Sequence, residues 1–351
     1  MCEIIFEDNE RNLVITRSST LNPAFVTFLE RTVWGSAGVQ YTMRDMVGVL
    51  KRIKEPHFLR ITENDDLVAV STLIKKITRL AGKDYSAFYS YALAVDPHKR
   101  GHGYGALMAE QALRYGLSKM GEKGIFYGYV EADNTRSLRT VQKVGRISLG
   151  QYRILVINRF CPKDDVRLKM TEKTERGKVV QLLSKQYVDH ALTDFEQSVN
   201  TEDYFTLSQG GEILAGIQIE RRHLNLKYLP GLRGLILLKV LPIIPYLRRL
   251  LPERNYHFLT FGNIYAKEGR EAEIFRLMEA LLARHQLHFG MFYMDKRSPV
   301  YQRIAVAGEF GIFNSLLDVP VHVMVYFKGF SKSEIADIRR QPLFISIMDP
   351  V

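Results

Sequence analysis

The sequence predicts an α+β fold with a mixed α/β sheet, arranged as two tandem domains of which the second is a degenerate copy of the first. Three observations lead to this prediction. Residues 90–107 change from a strand-like apolar run into a helix across a glycine-rich turn. Strand-type runs and helical apolar stripes alternate along the chain. The same order of segments recurs in the second half, where the turn has lost most of its glycines.

Length and composition are consistent with two domains. The chain has 351 residues, enough for two units of ~150 residues each. With 46% apolar and 11% aromatic residues it can fill two ordinary cores. A polar segment, residues 161–165, separates the halves. We therefore predict one domain over residues 1–160 and a second over residues 161–351.

The formal net charge of +11 invites a nucleic-acid partner, but the basic residues are spread along the chain among acidic ones, so we expect none. A positive surface also attracts an anionic cofactor. Cys2 and Cys161 form neither a disulfide framework nor a metal-ligand pattern, which favours a cytoplasmic protein. The longest apolar segment, 235–251, is interrupted by charges and prolines, so we expect no membrane span. Whether the chain forms a homo-oligomer is left open.

The first domain is predicted as strands and helices in alternation. Residues 57–62 and 67–76 flank a polar turn, as in an antiparallel hairpin. The predicted strands are 12–15, 57–62, 67–76, 86–95 and 124–131, with a strand or strand pair within 146–160, and the predicted helices are 23–34, 43–53, 103–120 and 134–143. The loop over residues 34–41 contains the only tryptophan, Trp34. It suits a mobile lid, whereas Trp34 itself is explained equally well as a core anchor between two helices.

The glycine-rich turn predicts an anion site. From Gly101 a glycine occupies every second position through Gly103 and Gly105, so no Cβ keeps a ligand from the main chain. The turn also lies at the N-terminus of the following helix, where unpaired amides and the positive end of the helix dipole favour a phosphate or pyrophosphate. A tight strand-to-helix turn without any ligand is the alternative.

Residues 95–105, VDPHKRGHGYG, resemble the acyl-coenzyme A loop of the GNAT family of N-acetyltransferases, V-x-P-x-x-R-G-x-G-x-G, at every specified position. Residues 130–134, VEADN, followed by Ser137 resemble the element with which that family contacts the pantetheine arm. The resemblance implies acetyl-CoA (acetyl-coenzyme A) as co-substrate and no metal. It also implies that the cofactor-binding residues are Leu93, Val95, Arg100, Gly101, His102, Gly103, Tyr104, Gly105, Ala106, Asn134 and Ser137.

Acyl transfer to an amine of pKa ~10.4 requires a proton acceptor. Glu131 is the only carboxylate within the two strands next to the loop, so we predict it to be the base or the anchor of a water relay. A solvated glutamate at a strand end is the alternative. Tyr89 and Tyr91 share one strand face and are further catalytic candidates, with sheet packing as the alternative.

The sequence departs from the family pattern at two positions. Val141 stands where the family offers a tyrosine as general acid, and Arg146 replaces the usual aromatic residue. Either another hydroxyl such as that of Tyr152 takes over, or the thiolate leaves without assistance. The predicted function is an acetyl-CoA-dependent N-acetyltransferase acting on a primary amine of a small molecule or a peptide. The competing class is a non-catalytic acyl-CoA-binding regulatory protein.

The second half repeats the scaffold without the site. Residues 266–272, AKEGREA, stand where the glycine loop would be, and they offer one glycine beside Glu268 and Glu271, which would repel an anion. Segments 239–246 and 344–350 carry a weaker likeness to the plant HOOKLESS-type acetyltransferases. The apolar insertion at 232–252 suits packing on its own domain, with a partner or membrane surface as the alternative.

Overall fold

The computed structural model describes residues 2–35, 39–229, 256–311 and 320–349, together with the single residues 234, 243 and 314. One large mixed sheet runs through the molecule and carries helices on both faces. This confirms the predicted α+β class with a mixed sheet. In the described ranges, every helix is too short or too polar to traverse a lipid bilayer. The insertion at 232–252 lies almost entirely outside the described residues.

The strands are β1 (Cys2–Asp8), β2 (Leu13–Ser18), β3 (Gln40–Met43), β4 (Pro56–Glu63), β5 (Asp66–Leu80), β6 (Lys83–Val95), β7 (Gly124–Glu131), β8 (Ile147–Asn158), β9 (Leu168–Met170), β10 (Tyr204–Gln209), β11 (Glu212–Tyr228), β12 (Tyr256–Ala266), β13 (Phe289–Met294) and β14 (Pro320–Lys328). The helices are α1 (Pro23–Arg31), α2 (Met46–Lys51), α3 (Tyr104–Ser118), α4 (Thr135–Lys143), α5 (Arg176–Gln186), α6 (Phe195–Ser198), α7 (Ala272–Arg284), α8 (Pro299–Ala307) and α9 (Lys332–Arg340).

The predicted order of elements in the first half is largely confirmed, with three corrections. Strand β1 was not predicted, and it pairs with β2 as a hairpin. The helix predicted over 43–53 is wrong at its start, because Gln40–Met43 is a strand and the helix begins only at Met46. The spacing of Ala106, Ala109 and Leu113 predicts that all three lie on the buried face of α3, but Ala106 is exposed, while Met108 and Ala112 pack against the sheet.

The two halves exchange their last strands. In each half two strands run parallel, β6 beside β7 and β12 beside β13. The free side of β7 is covered by β14, which comes from the second half, and β13 is covered by β8, which comes from the first. Strands β14 and β8 then pair antiparallel in the centre. The sheet is therefore continuous across both halves, and the boundary near residue 160 stays a prediction.

The loop predicted as a lid is tied to the second half. Trp34 and Tyr41 exchange backbone hydrogen bonds of 2.8 and 3.1 Å across its base, and residues 36–38 at its tip lie outside the described residues. Strand β3, which follows, pairs antiparallel with β11. Trp34 is half-buried and packs against the core beneath α1. The base of the loop is thus held in place by a strand of the other half.

A buried ion cluster fixes the C-terminal segment to the first half. Nζ of Lys76 on β5 lies 2.5 Å from Oδ2 of Asp194 and 2.8 Å from Oδ1 of Asp349. All three side chains are at most 6% exposed. The hydroxyls of Tyr127 and Tyr129 on β7 both donate to Oδ2 of Asp349 at 2.7 Å. Every charge in the cluster therefore has an opposite charge in contact with it.

We predict that Lys76→Met lowers the free energy of unfolding by about 3–5 kcal/mol, because it leaves two carboxylates buried without a counter-ion. The matched control is Lys75→Met on the same strand. Lys75 is 46% exposed and lies 3.9 Å from the exposed Glu55, so its loss should cost about 0–1 kcal/mol. Urea unfolding measures both. Equal effects of the two substitutions would contradict the assigned role of the cluster.

Candidate active site

The loop before α3 has the backbone that its glycines predict. Gly101 and Gly103 have φ angles of 91° and 86°, which strain any residue that has a Cβ. A Cβ at either position would meet no protein atom within 4 Å, so the space beside the main chain is open. Gly103 is the N-cap residue of α3 and supplies no side-chain cap. The first amides of the helix therefore keep their capacity to bind an anion.

Strands β6 and β7 form a fork. They pair in parallel only from Ser86 with Gly124 to Tyr89 with Tyr127, although both strands continue beyond that point. Ala92 adopts a φ of 54°, and the register of β6 against β5 shifts in the same region. Among the described strands none pairs with the β7 side of residues 90–95. One main-chain edge of β6 is thus left for an extended ligand.

The loop and the fork open into one cavity of about 1230 Å³. It is lined by each of the predicted site residues except His102, which is exposed. The cofactor candidates in its wall are Leu93, Val95, Arg100, Gly101, Gly103, Tyr104, Gly105, Ala106, Asn134 and Ser137, and the catalytic candidates are Tyr89, Tyr91 and Glu131. Residues up to 48 positions apart in sequence, from Tyr89 to Ser137, therefore line a single cavity.

Asn134 caps the helix that forms one side of the cavity. Its Oδ1 accepts a hydrogen bond of 3.1 Å from the amide of Ser137, which stabilises the first turn of α4. Val141 on this helix also lines the cavity and is buried. The family's hydroxyl donor is therefore missing from the place where it was expected.

Glu131 ends β7 half-buried in the cavity wall. Burial, helped by the negative charge of Asp133, raises the pKa of its carboxyl group. No side chain in the described ranges hydrogen-bonds to this carboxylate. Burial also raises the pKa values of Tyr41 and Tyr152, and the charge of Glu131 adds to both shifts. A poorly solvated carboxylate without a partner is well suited to accept a proton.

Tyr89 and Tyr91 belong to a cluster of tyrosines on one face of the sheet. The ring centroid of Tyr89 lies 5.2 Å from that of Tyr127 and 5.1 Å from that of Tyr129. The hydroxyl of Tyr91 donates to Sδ of Met43, beside the predicted lid, at 3.3 Å. Burial raises the pKa of Tyr91 to about 12 and that of Tyr89 well above its usual value. Both phenols are therefore neutral at neutral pH, so neither serves as a general base in the form of a phenolate.

Sequence reasoning missed three features of the site. The far wall comes from the second half, through Leu226 on β11, Phe258 on β12 and Met291 on β13. Asp349 holds Tyr129, which lines the cavity. Arg146 is buried in the wall, although it had been noted only as a departure from the family pattern. The far wall and the contact of Asp349 depend on pairing between residues far apart in sequence, which no local pattern predicts. Arg146 did give a local signal, because it is a charged residue at a position that is usually aromatic.

The corresponding loop of the second half is already occupied by its own side chains. The amide of Gly269 donates to Oε1 of Glu271 at 3.3 Å, and the same oxygen accepts from Nε of Arg303 at 3.0 Å. Lys267 is ion-paired with Glu212. None of residues 266–272 lines the cavity described above. These contacts agree with the prediction that this loop binds no anion.

Comparisons with known proteins define the class. The model of the acetyltransferase (GNAT) family matches residues 27–145. No curated protein matches the sequence. A crystal structure of Saccharomyces cerevisiae N-myristoyltransferase with bound myristoyl-CoA is similar, with a TM-score of 0.61 and 10% identity, over 95% of this chain and 89% of that chain. A second structure of that enzyme with bound myristoyl-CoA gives a TM-score of 0.61 and 10% identity, over 95% and 85%.

The fold is therefore like the two-domain architecture of N-myristoyltransferase. Residues 27–145 match the model of the acetyltransferase (GNAT) family, which confirms the resemblance of the glycine loop to that family. These findings support acyl-CoA-dependent acyl transfer as the class of chemistry. The weaker likeness to the HOOKLESS-type proteins stays a prediction.

We predict that Gly103→Asp abolishes coenzyme A binding, because it places bulk and negative charge where the loop faces a pyrophosphate. Gly269→Asp is the matched control. Its backbone φ of 75° and the open space around it are like those of Gly103, but it lies in the second-half loop. Calorimetry should give one site per chain for the wild type and for Gly269→Asp. Two sites per chain, or undiminished binding by Gly103→Asp, would contradict the assignment.

Proposed function

We propose that the protein is an acetyl-CoA-dependent N-acetyltransferase that acts on a primary amine of a small molecule or a peptide. One observation carries the proposal: the anion-binding loop, the fork and a carboxylate with a raised pKa line the same cavity. The loop would hold the phosphates, and the free edge of β6 would pair with the pantetheine amides. Cys2 and Cys161 are exposed and are not joined in a disulfide, which supports a reducing cytoplasmic location.

In the proposed reaction the amine attacks the thioester carbonyl, the carbon–sulfur bond breaks, and the thiolate leaves with the electron pair. The proton lost by the amine passes to Glu131. Glu131 lies three positions after Gly128 at the fork, which is about 10 Å along a strand. We therefore propose that the proton travels through water and that Glu131 anchors this relay. Neutral Tyr89 and Tyr91 would hold the water molecules in place.

A longer acyl donor is a second candidate, favoured by the apolar far wall. Leu226, Phe258 and Met291 offer a surface that would take an acyl chain or an apolar acceptor. The variant Met291→Trp tests the choice, because it fills this part of the cavity. For an acetyl donor we expect unchanged acetyl-CoA affinity and a raised KM for the acceptor. If the wild type binds myristoyl-CoA tightly and Met291→Trp weakens this binding, the longer donor is favoured.

The test of the proposed function is thiol release from acetyl-CoA in the presence of primary amines, namely a lysine peptide, a peptide with a free N-terminus and a polyamine. Transfer to at least one of them, confirmed by mass spectrometry of the product, is the expected result. Binding of acetyl-CoA without transfer to any amine would instead favour the non-catalytic acyl-CoA-binding class. No binding at all would overturn both.

We predict that Glu131→Gln lowers kcat by about 100-fold or more, since a general base typically contributes at least this factor. In the wild type kcat should rise as the pH increases through the raised pKa of Glu131, because only the deprotonated carboxylate accepts a proton. The matched variant Asp133→Asn removes the negative charge that helps to raise this pKa. It should stay active and shift the rising limb to lower pH. An unchanged pH profile in both variants would contradict the role of Glu131.

A further inference from the structure

Among the residues that the structure describes, no side chain neutralises the positive charge of Arg146. The residue is 4% exposed. Its Nε and Nη2 atoms are buried and have no hydrogen-bond partner among the described residues. The guanidinium lies 4.4 Å from the centroid of the Phe126 ring, which is a contact with a neutral side chain. A buried cation is costly unless it is paired, so this arrangement indicates a ligand that the protein receives from outside.

The guanidinium lies at the fork between β6 and β7. A Cβ placed on Gly128 would lie 3.4 Å from Nη1 of Arg146 and 2.9 Å from the carbonyl oxygen of Ser90. Gly128 directly follows Tyr127, which belongs to the last parallel pair. Arg146 lines the same cavity as the glycine loop. Its charge is therefore located where the two strands begin to separate, at the end of the cavity wall opposite the loop.

Arg146 remains charged at neutral pH. Burial alone lowers its pKa, to about 9. The other titratable groups that line the cavity on the loop, the two strands and α4 do not contribute to this shift; they are Lys99, Arg100, Tyr104, Tyr89, Tyr91, Tyr129, Glu131 and Arg136. The site at the fork is therefore a single, poorly solvated cation with N–H donors available.

The position of Arg146 indicates which anionic group of an acyl-CoA lies near it. The phosphates belong at the loop, which is separated from the fork by residues 90–95, or roughly 20 Å of strand. A ligand that extends along this edge of β6 brings its thioester end to the fork. We propose that Arg146 binds the sulfur of coenzyme A as a thiolate and so stabilises the leaving group of the transfer. This inference rests on the proposed function.

The proposed step breaks the carbon–sulfur bond of the thioester. The electron pair goes to sulfur, and the guanidinium pairs with the resulting negative charge without losing a proton. The proton from the amine goes to the relay ending at Glu131. Arg146 thus acts by electrostatic stabilisation rather than as an acid, and it compensates for the hydroxyl that Val141 lacks.

The test measures the ionisation of bound coenzyme A in the full chain and needs no acceptor. The free thiol has a pKa near that of cysteine, about 8.5. Titration of the thiolate absorbance between about pH 6 and 10, with the desulfo-coenzyme A complex as reference, gives the midpoint of the bound thiol. In the wild type we expect this midpoint to be lowered by about one unit or more, which corresponds to at least tenfold tighter binding of coenzyme A than of desulfo-coenzyme A at high pH.

Two variants and one control make the result specific. Arg146→Met should return the midpoint to the value of the free thiol or above it and abolish the preference over desulfo-coenzyme A. Arg146→Lys should keep part of the shift, because it retains a charge with poorer geometry. Arg139→Met, on the exposed side of α4, should behave as the wild type. Retained binding of desulfo-coenzyme A by Arg146→Met verifies that the site is folded. Loss of this binding would show that Arg146 has a structural role and would overturn the proposal.

Three other outcomes would overturn it. Equal thiol midpoints in the wild type and in Arg146→Met would show that the guanidinium does not contact the sulfur. A loss of affinity for succinyl-CoA alone, with an unchanged midpoint, would assign Arg146 to a carboxylate on the acyl group. Failure of the wild type to bind coenzyme A would overturn the proposed function as well, so the two failures are distinguishable.

Discussion

The early separation of β6 and β7 is the constraint on which the rest of the site depends. A parallel pair that continued past Tyr89 and Tyr127 would satisfy its main chain internally and leave no edge for a ligand. Where β7 diverges from β6 it stays in the sheet, because β14 pairs with its other edge along its whole length. An element contributed by the second half therefore supports β7 beside the opening.

The same arrangement gives the second half a structural role although its loop is predicted to bind no anion. Its sheet supplies the apolar far wall of the cavity, and β11 holds the strand that follows the loop containing Trp34. Its C-terminal segment brings Asp349 to the tyrosines of β7. One half thus provides the loop and the fork that are proposed to bind the cofactor, and the other provides surfaces that shape the cavity around them.

Local signals in the sequence predicted the local parts of the site. The glycines at 101 and 103 required left-handed backbone, and Asn134 required a helix start, so loop and cap could be placed without a structure. The pairing of β14 with β7 joins segments far apart in the chain, and no residue pattern specifies which edge an apolar strand will occupy. The start of the helix predicted over 43–53 was wrong for a related reason, because Met43 pairs with Leu224 of β11 and so belongs to a strand.

The exchange of strands also matters during synthesis. The edge of β7 is complete once residue 131 has been made, but its partner begins only at residue 320. At about 5–20 residues per second, translation leaves that edge unpaired for roughly 10 to 40 s. An apolar strand with an open edge is a template for pairing with another chain. The yield of correctly folded protein, more than its final stability, should therefore be the property most sensitive to changes in residues 320–328.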